Sequence, residues 1–557
     1  MKKIVFSLLA VTATMALTSC LEETFPESST ATEKQVGEVA SGLESAVNGI
    51  PARMQQGYLV YGEQTHETDM AYPQFMIAQT EMLGDMYPLG SNSGYDWYRN
   101  YNTCDRIYGS TSYFSYLPYR TLYMFVKDAN SIIGTVDVNA EGINPVMLNY
   151  AGIGYACRAF DYYMLTILFE PKENIYTDIK DVKGLTVPKV TETTTVEEAR
   201  NNPRLPHDEM MQFILSDLDK AAELMIAYED SMVARNEKPE YNRTRPTLAT
   251  VYGLKAKTYL WDEKYDSAAT YARKAIDEAV REWKAKPVTE AQMDDPQSGF
   301  NTANDAWMWY IHYDSENMGN LCNFIGWISG EADWGYSSLT CPGIDRALYD
   351  RIGRNDYRKR LFLDPLKYDY YDYKASRPAS WIEDAPDYLS LKFRCLNGDY
   401  NDYTVGGAVD VPVMRVEEMM LIEAEAVGVS QGLDAGVNLL NRFMKSYRDP
   451  SYNYNATNLR NFQLEVLTQM RIEFWGEGNA FPSAKRLAPD VIQNYEGTNA
   501  PSEIFLVNCK GIKPWWNLVI PDSEESTNTA IKGTNNPDPT QTVKAPIAIG
   551  EFAPARY

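Results

Sequence analysis

Apolar positions recur every three to four residues in two blocks of the chain, a period that predicts helices. Tyr155, Ala159, Tyr162, Tyr163, Thr166 and Leu168 share one broad face over 149–169, and Pro171 ends the run. A second amphipathic stretch covers 207–225. Next, 247–261 and 265–283 predict a helix hairpin. Leu254, Tyr259 and Leu260 mark its first arm, Asp262, Glu263 and Lys264 the turn, and Tyr265, Ala268, Ala269, Ala272, Ala275 and Ile276 the second arm. Small residues at this spacing let two helices pack closely, and the Tyr and Ala order is that of a tetratricopeptide unit. A similar hairpin returns over 416–427 (Met419, Met420, Leu421, Ile422, Ala424, Ala426) and 433–444, and an earlier one over 35–48 and 120–133. About four helix pairs (about 35–135, 145–226, 247–283 and 412–446) are thus spread along the chain. Each buries its apolar face only against a neighbour, so a mainly α fold is expected, one scaffold assembled from distant segments.

Between the pairs, about 85–117, 286–412 and 487–557 lack helical period and are rich in Gly, Pro, Asn, Asp and Tyr. Loops of that length are usually functional or disordered, and the aromatic content argues for function. Composition sharpens this: 40 Tyr stand against 18 Phe and 11 Trp, and they fall into two groups. Tyr155, Tyr162, Tyr163, Tyr259 and Tyr265 lie on helical faces, whereas Tyr95, Tyr98, Tyr101, Tyr310, Tyr313 and Tyr336 lie in the irregular stretches.

The 557 residues carry 52 Lys+Arg and 76 Asp+Glu, a net charge of −24. Such a polyanion repels phosphate, so no nucleic-acid partner is expected and neutral ligands stay open. His66, His207 and His312 are scattered without the spacing of a helical zinc site, so no metal is expected. Asp364, Asp369, Asp372, Glu383 and Asp384 supply carboxylates, but no nucleophile–base constellation or Gly-rich phosphate loop accompanies them. A binding protein without cofactor is expected rather than an enzyme. The acidic, Tyr-rich run over 368–373 lacks calcium-loop spacing and reads as a solvated loop.

Lys2 and Lys3 precede an apolar stretch over 4–16 that is too short to span a bilayer but suits a secretion signal. Leu17, Thr18, Ser19 and Cys20 resemble a bacterial lipobox, which implies removal of 1–19 and acylation of Cys20. Glu22 and Glu23 resemble an export signal to the outer face of the outer membrane. Residues 20–34 read as a tether and 35–557 as a single domain. The remaining cysteines are expected mostly as buried free thiols, since a body this large requires no disulfide; Cys322 and Cys341, which share one loop-rich region, are the first pair to test for a bond.

Several motifs together resemble the SusD/RagB family of outer-membrane nutrient-binding lipoproteins. They are Tyr155, Arg158, Ala159, Tyr162 and Tyr163 running to Leu168 and Phe169; Leu215, Asp217, Leu218 and Ala221; and Arg415, Glu418, Leu421, Ala424, Glu425 and Ala426. Arg471, Glu473, Glu477 and Gly478 leading to Arg486, and Ile520, Pro521 and Glu524, complete the set. Gln469, Asn479, Ala480, Ser483 and Glu170 depart from the family pattern. In that family the acid and base positions knit helices through buried ion pairs, so the departures bear on local packing rather than on the fold. The resemblance implies a SusD-like α-helical fold and a surface-exposed lipoprotein that captures oligo- or polysaccharide. It would deliver this cargo to a SusC-like TonB-dependent outer-membrane transporter. Peptide or glycopeptide cargo is the alternative; a helical glycoside hydrolase is a weaker one, needing paired carboxylates about 5–9.5 Å apart.

The resemblance also implies that a neutral glycan binds in the irregular stretches, where aromatic planes stack on sugar C–H faces and polar groups meet hydroxyls. Trp97, Tyr98 and Asn100 form the first candidate cluster; Trp97 and Asn100 resemble the Trp-x-x-Asn pairing of the family's starch-binding member. The second comprises Trp307, Trp309 and Tyr310, then Trp327, Trp334 and Tyr336. At a spacing of two, Trp307 and Trp309 are expected on one face of a strand and Tyr310 on the other. Trp261, Trp283 and Trp475 are expected in the core.

Overall fold

The computed structural model describes residues 40–55, 71–91, 99–103, 109–318, 321–367, 374–541 and 548–549. The leader, Cys20, Trp97, Tyr98, Cys104, the 368–373 run and the side chain of Asn100 lie outside the described residues.

The main helices are α1 (Ala40–Gln55), α2 (Tyr72–Leu83), α3 (Tyr113–Thr135), α4 (Pro145–Phe169), α5 (His207–Ala234), α6 (Leu248–Trp261), α7 (Tyr265–Trp283), α8 (Val416–Ser430), α9 (Leu433–Tyr447), α10 (Leu459–Glu473) and α11 (Phe481–Leu487). From α3 to α9 each packs on the next, so the last pair stacks on the middle pair despite the long insertion between them. Ala268, Ala269, Ala272, Ala275 and Ala279 form the buried stripe of α7, with α6 and α8 against it. No helix among the described residues is long and apolar enough to cross a membrane.

Short strands tie the insertions to this scaffold: β1 (Met86–Pro88), β2 (Leu185–Pro188), β3 (Arg204–Pro206), β4 (Trp307–His312), β5 (Pro342–Ile344) and β6 (Asp410–Arg415). The antiparallel pairs are β1 with β5, β2 with β3 and β4 with β6.

The ion-pair positions act as the resemblance implies. Glu473 is fully buried and accepts from Arg358 Nη1 (3.0 Å), Arg415 Nη1 (3.0 Å), and Arg448 Nε (2.7 Å) and Nη2 (2.8 Å). Burial alone would raise its pKa, but the guanidiniums hold the carboxyl well below the usual range. Glu477 accepts from Arg415 Nε (2.8 Å) and Lys392 Nζ (2.5 Å). The departures are absorbed locally: Gln469 accepts from Arg358 Nη2 (2.7 Å), and Asn479 donates to Glu418 (2.8 Å).

Glu170, where the family pattern has a turn glycine, is a hub joining three helices. It accepts from Lys172 Nζ (2.9 Å) and Trp261 Nε1 (3.0 Å) and lies 3.1 Å from His207 Nδ1. His207 Nε2 lies 3.1 Å from Asp262. Cys157, Cys341 and Cys395 are free thiols, and Cys322 is not bonded to Cys341.

Candidate ligand-binding site

The β1–β5 pairing sets Met86 opposite Ile344 and Pro88 opposite Pro342, and it continues as Leu89 N donates to Cys341 O (3.1 Å) and Gly90 N to Thr340 O (2.7 Å). The chain that enters the first aromatic stretch therefore runs beside the loop carrying Trp334 and Tyr336.

Within the second cluster the strand alternation fails. A bulge puts Trp307 opposite Arg415 and Trp309 opposite Met414, so the two tryptophans do not share one exposed face. Both are core instead, 0% and 1% exposed. Trp309 packs edge-on against Phe160 of α4 (centroids 4.9 Å apart) and Trp307 against Phe300 (5.3 Å). Trp334 is also corrected: it is 8% exposed and wedged against Gly406, where a Cβ would approach the ring to 2.6 Å. Neither it nor the other two tryptophans offers a free stacking plane.

Tyr310 and Tyr336 are half-buried. The Arg243 guanidinium lies 5.7 Å from the Tyr310 ring and 5.2 Å from that of Trp283, and its Nη1 donates to Asn304 O and Trp307 O, each at 2.7 Å. Trp283, expected in the core, is half-buried beside it, whereas Trp261 and Trp475 are core. Tyr336 packs on Trp327 with centroids 4.1 Å apart and follows Gly335, whose φ of 69° and crowding by Leu321 O exclude a side chain.

The open aromatic surface lies beside Trp334. The Arg377 guanidinium sits 4.5 Å from the Tyr400 ring and 5.1 Å from the Trp381 ring, and its Nη1 is 3.4 Å from the exposed Asp333 carboxylate. Trp381 and Tyr400 are half-buried and Tyr403 is exposed. Two devices hold this ledge. Asp333 N donates to Tyr400 O (2.9 Å), joining its two loops. Buried Glu331 accepts from Arg394 Nη1 (2.6 Å) behind it and from the backbone N–H of Ser376 (2.6 Å), which fixes the residue before Arg377. The Arg377 side chain is 16% exposed, and its Nε is sealed from solvent. Ring faces, a stacked guanidinium and an adjacent carboxylate match a sugar's C–H face and hydroxyl rim.

Sequence reasoning missed Arg377, Trp381 and Tyr400. The available signal was an aromatic-rich, Asp- and Gly-rich stretch within 286–412, outside the conspicuous Trp cluster.

Two acidic groupings could in reach hold an ion: His207, Asp208 and Asp262, and Glu229, Glu278 and Glu282. Neither belongs to the ledge. Burial opposes a charged His207, but Asp262 and Glu170 outweigh it and raise its pKa to about 9, so both ring nitrogens carry protons at neutral pH. A metal would have to displace one of them.

No family model and no curated protein matches this chain. Solved structures do. A SusD-like carbohydrate-binding protein from Bacteroides vulgatus ATCC 8482 is 20% identical with a TM-score of 0.66, over 88% of this chain and 97% of that one. A SusD superfamily protein from Bacteroides thetaiotaomicron VPI-5482 is 17% identical with a TM-score of 0.65, over 90% and 100%. Surface glycan-binding protein A from Bacteroides thetaiotaomicron, in complex with laminarihexaose, is 17% identical with a TM-score of 0.59, over 89% and 99%. The chain therefore has the SusD-like fold, as its motifs led one to expect.

Proposed function

We propose that this chain is a surface glycan-binding lipoprotein, anchored through Cys20 to the outer face of the outer membrane, that captures a neutral oligosaccharide for a SusC-like TonB-dependent transporter. The observation that carries the reading is the Trp381–Arg377–Tyr400 ledge, half-buried aromatics around a guanidinium beside the exposed Asp333 carboxylate, on a SusD-like fold. A structural neighbour with laminarihexaose bound supports the same ligand class. The ledge holds rather than cleaves, and delivery then falls to a partner.

Affinity electrophoresis and calorimetry against a panel of neutral polysaccharides, laminarihexaose included, test the reading. Retention by at least one glycan, lost in Trp381→Ala and Tyr400→Ala, is the expected result. Binding of peptides with no glycan retained would replace the cargo. Acylation at Cys20 is checked by mass spectrometry of the membrane-extracted protein, and the partner by co-purification of a transporter from outer membranes.

A further inference from the structure

The C-terminal end of α7 meets β4 at a surface that repeats the composition of the Arg377 ledge on other elements. Past its bulge β4 is regular: Tyr310 stands opposite Pro412, Ile311 opposite Val411, and His312 opposite Asp410 of β6. Ile311 and Val411 are fully buried, so the alternation turns Tyr310, His312 and Asp410 to the opposite face. Tyr310 is half-buried and the His312 side chain is 57% exposed. Trp283, the last residue of α7 and also half-buried, extends this row through Arg243, whose guanidinium lies against both the Trp283 and the Tyr310 ring.

Backbone bonds hold the row in place. Trp283 Nε1 donates to Asp305 O (3.0 Å), Tyr310 N donates to Arg243 O (3.1 Å), and the bonds of Arg243 to Asn304 O and Trp307 O fix the guanidinium. His312 Nδ1 lies 2.6 Å from Asp410 Oδ1, and Asp410 Oδ2 accepts from Ala303 N (2.7 Å). The first of these bonds spends Nδ1 and leaves Nε2 for a ligand hydroxyl. Asp410 offsets Arg243, and Lys286 pairs with Asp305 (3.2 Å), so apart from the His312 ring the formal charges cancel. In a strongly acidic chain such a surface suits a neutral ligand.

We infer that the row from Trp283 to His312 is a second, weaker site for neutral oligosaccharide, sharing no residue with the Arg377 ledge; the inference rests on the glycan-binding reading above. The Trp283 and Tyr310 rings meet sugar C–H groups, and Arg243 and His312 meet hydroxyls. The site is the weaker of the two because its carboxylates are already engaged with His312, Ala303 N and Lys286, whereas Asp333 of the ledge is 55% exposed. Two sites on one chain make the second contact of a long polymer intramolecular, which favours long glycans over short ones.

The full chain is titrated by calorimetry with laminarihexaose, maltohexaose and xylohexaose up to millimolar concentration. A strong phase and a weaker one are expected with at least one of them. Trp381→Ala should remove the strong phase and keep the weak one. Trp283→Ala and Tyr310→Ala should each weaken the second phase at least about tenfold and leave the strong one unchanged. His312→Ala, at a mostly exposed position, should weaken it about threefold or more, and it decides the matter should the aromatic variants fail to fold. A single phase abolished by Trp381→Ala, or a weak phase untouched by His312→Ala and by every aromatic variant of the row that folds, overturns the second site and leaves the ledge standing. A single phase kept in Trp381→Ala and lost in Trp283→Ala supports this site and overturns the ledge. No saturable binding by any of the three sugars overturns the glycan-binding reading and this site with it.

Discussion

Around Glu473, three guanidiniums are sealed from solvent and paired with carboxylates; at Arg377, one guanidinium lies partly open between two aromatic rings with an exposed carboxylate beside it. Both places use Arg, acid and aromatic side chains. Arg415 also lies over aromatic rings, 4.8 Å from Phe474 and 5.2 Å from Phe300. What separates a structural knot from a binding surface is accessibility rather than residue type. The knot fixes how β6, α8 and α10 meet, and the ledge is held by a separate buried pair, Glu331 with Arg394, two residues on from Lys392 of the knot.

Breaking the knot should have the largest effect. Glu473→Ala takes one carboxylate partner from each of three buried guanidiniums and should cost about 3–5 kcal/mol in urea unfolding. A loss under about 1 kcal/mol would mean that the pairs are solvated and the contrast with the ledge is false. Glu331→Ala lies between the two regions. It should cost about 2–3 kcal/mol, since Arg394 keeps the Asp294 carbonyl, and it should also weaken glycan binding because Ser376 loses its anchor. Full-affinity binding by this variant would show that the ledge holds itself.

The Glu170–His207–Asp262 clamp adds a pH-dependent intermediate case. His207 rises from 6.5 to about 9, so its contribution is complete below pH 6.5 and is lost as pH climbs through about 9. Glu170 is buried, which alone would raise it, but His207 and Lys172 lower it from 4.5 to about 2; its contribution is complete above pH 4.5 and is lost toward pH 2. Stability from the clamp should therefore peak between about pH 4.5 and 6.5. Solvent screening of the partly exposed ring limits the alkaline loss to about 1 kcal/mol. Denaturation curves of His207→Ala should lack that loss between pH 6.5 and 9; an unchanged slope would assign it elsewhere.

The smallest stability effect belongs to the ledge itself. Trp381→Ala should change unfolding free energy by about 0.5 kcal/mol or less while reducing glycan affinity by about tenfold or more. Trp307→Ala should do the opposite, destabilising by about 3–5 kcal/mol through the cavity it leaves. If the two variants exchanged behaviours, the correction to the sequence-based site would be reversed.

Legibility followed local periodicity. The hairpin arm over 265–283 matches α7 because that helix buries one stripe and exposes the other, and its partner over 247–261, although α6 is almost wholly buried, is bounded by the turn at 262–264. α2 went unread because all twelve of its residues are buried, which erases the period. α10 went unread because Gln463, Glu465, Gln469 and Glu473 are buried, and such a pattern looks polar in sequence. On the site side, Trp307, Trp309 and Trp334 of the second cluster are buried, while Trp97 of the first lies outside the described residues. A one-residue bulge in β4 reverses which face a side chain takes, and no spacing rule announces it.

By itself the sequence determined the helix pairs, the Ala-rich seam between α6, α7 and α8, and Arg415, Glu473 and Glu477 of the knot, since these sit in short motifs; Arg358, Arg448 and Lys392 join them only in the fold. The tertiary structure alone decided which aromatics face solvent. Arg377, Tyr400 and Asp333 lie far apart along the chain, and they meet because Asp333 N bonds Tyr400 O and buried Glu331 pins Ser376. Burial is a property of packing among distant segments, and a linear pattern does not carry it.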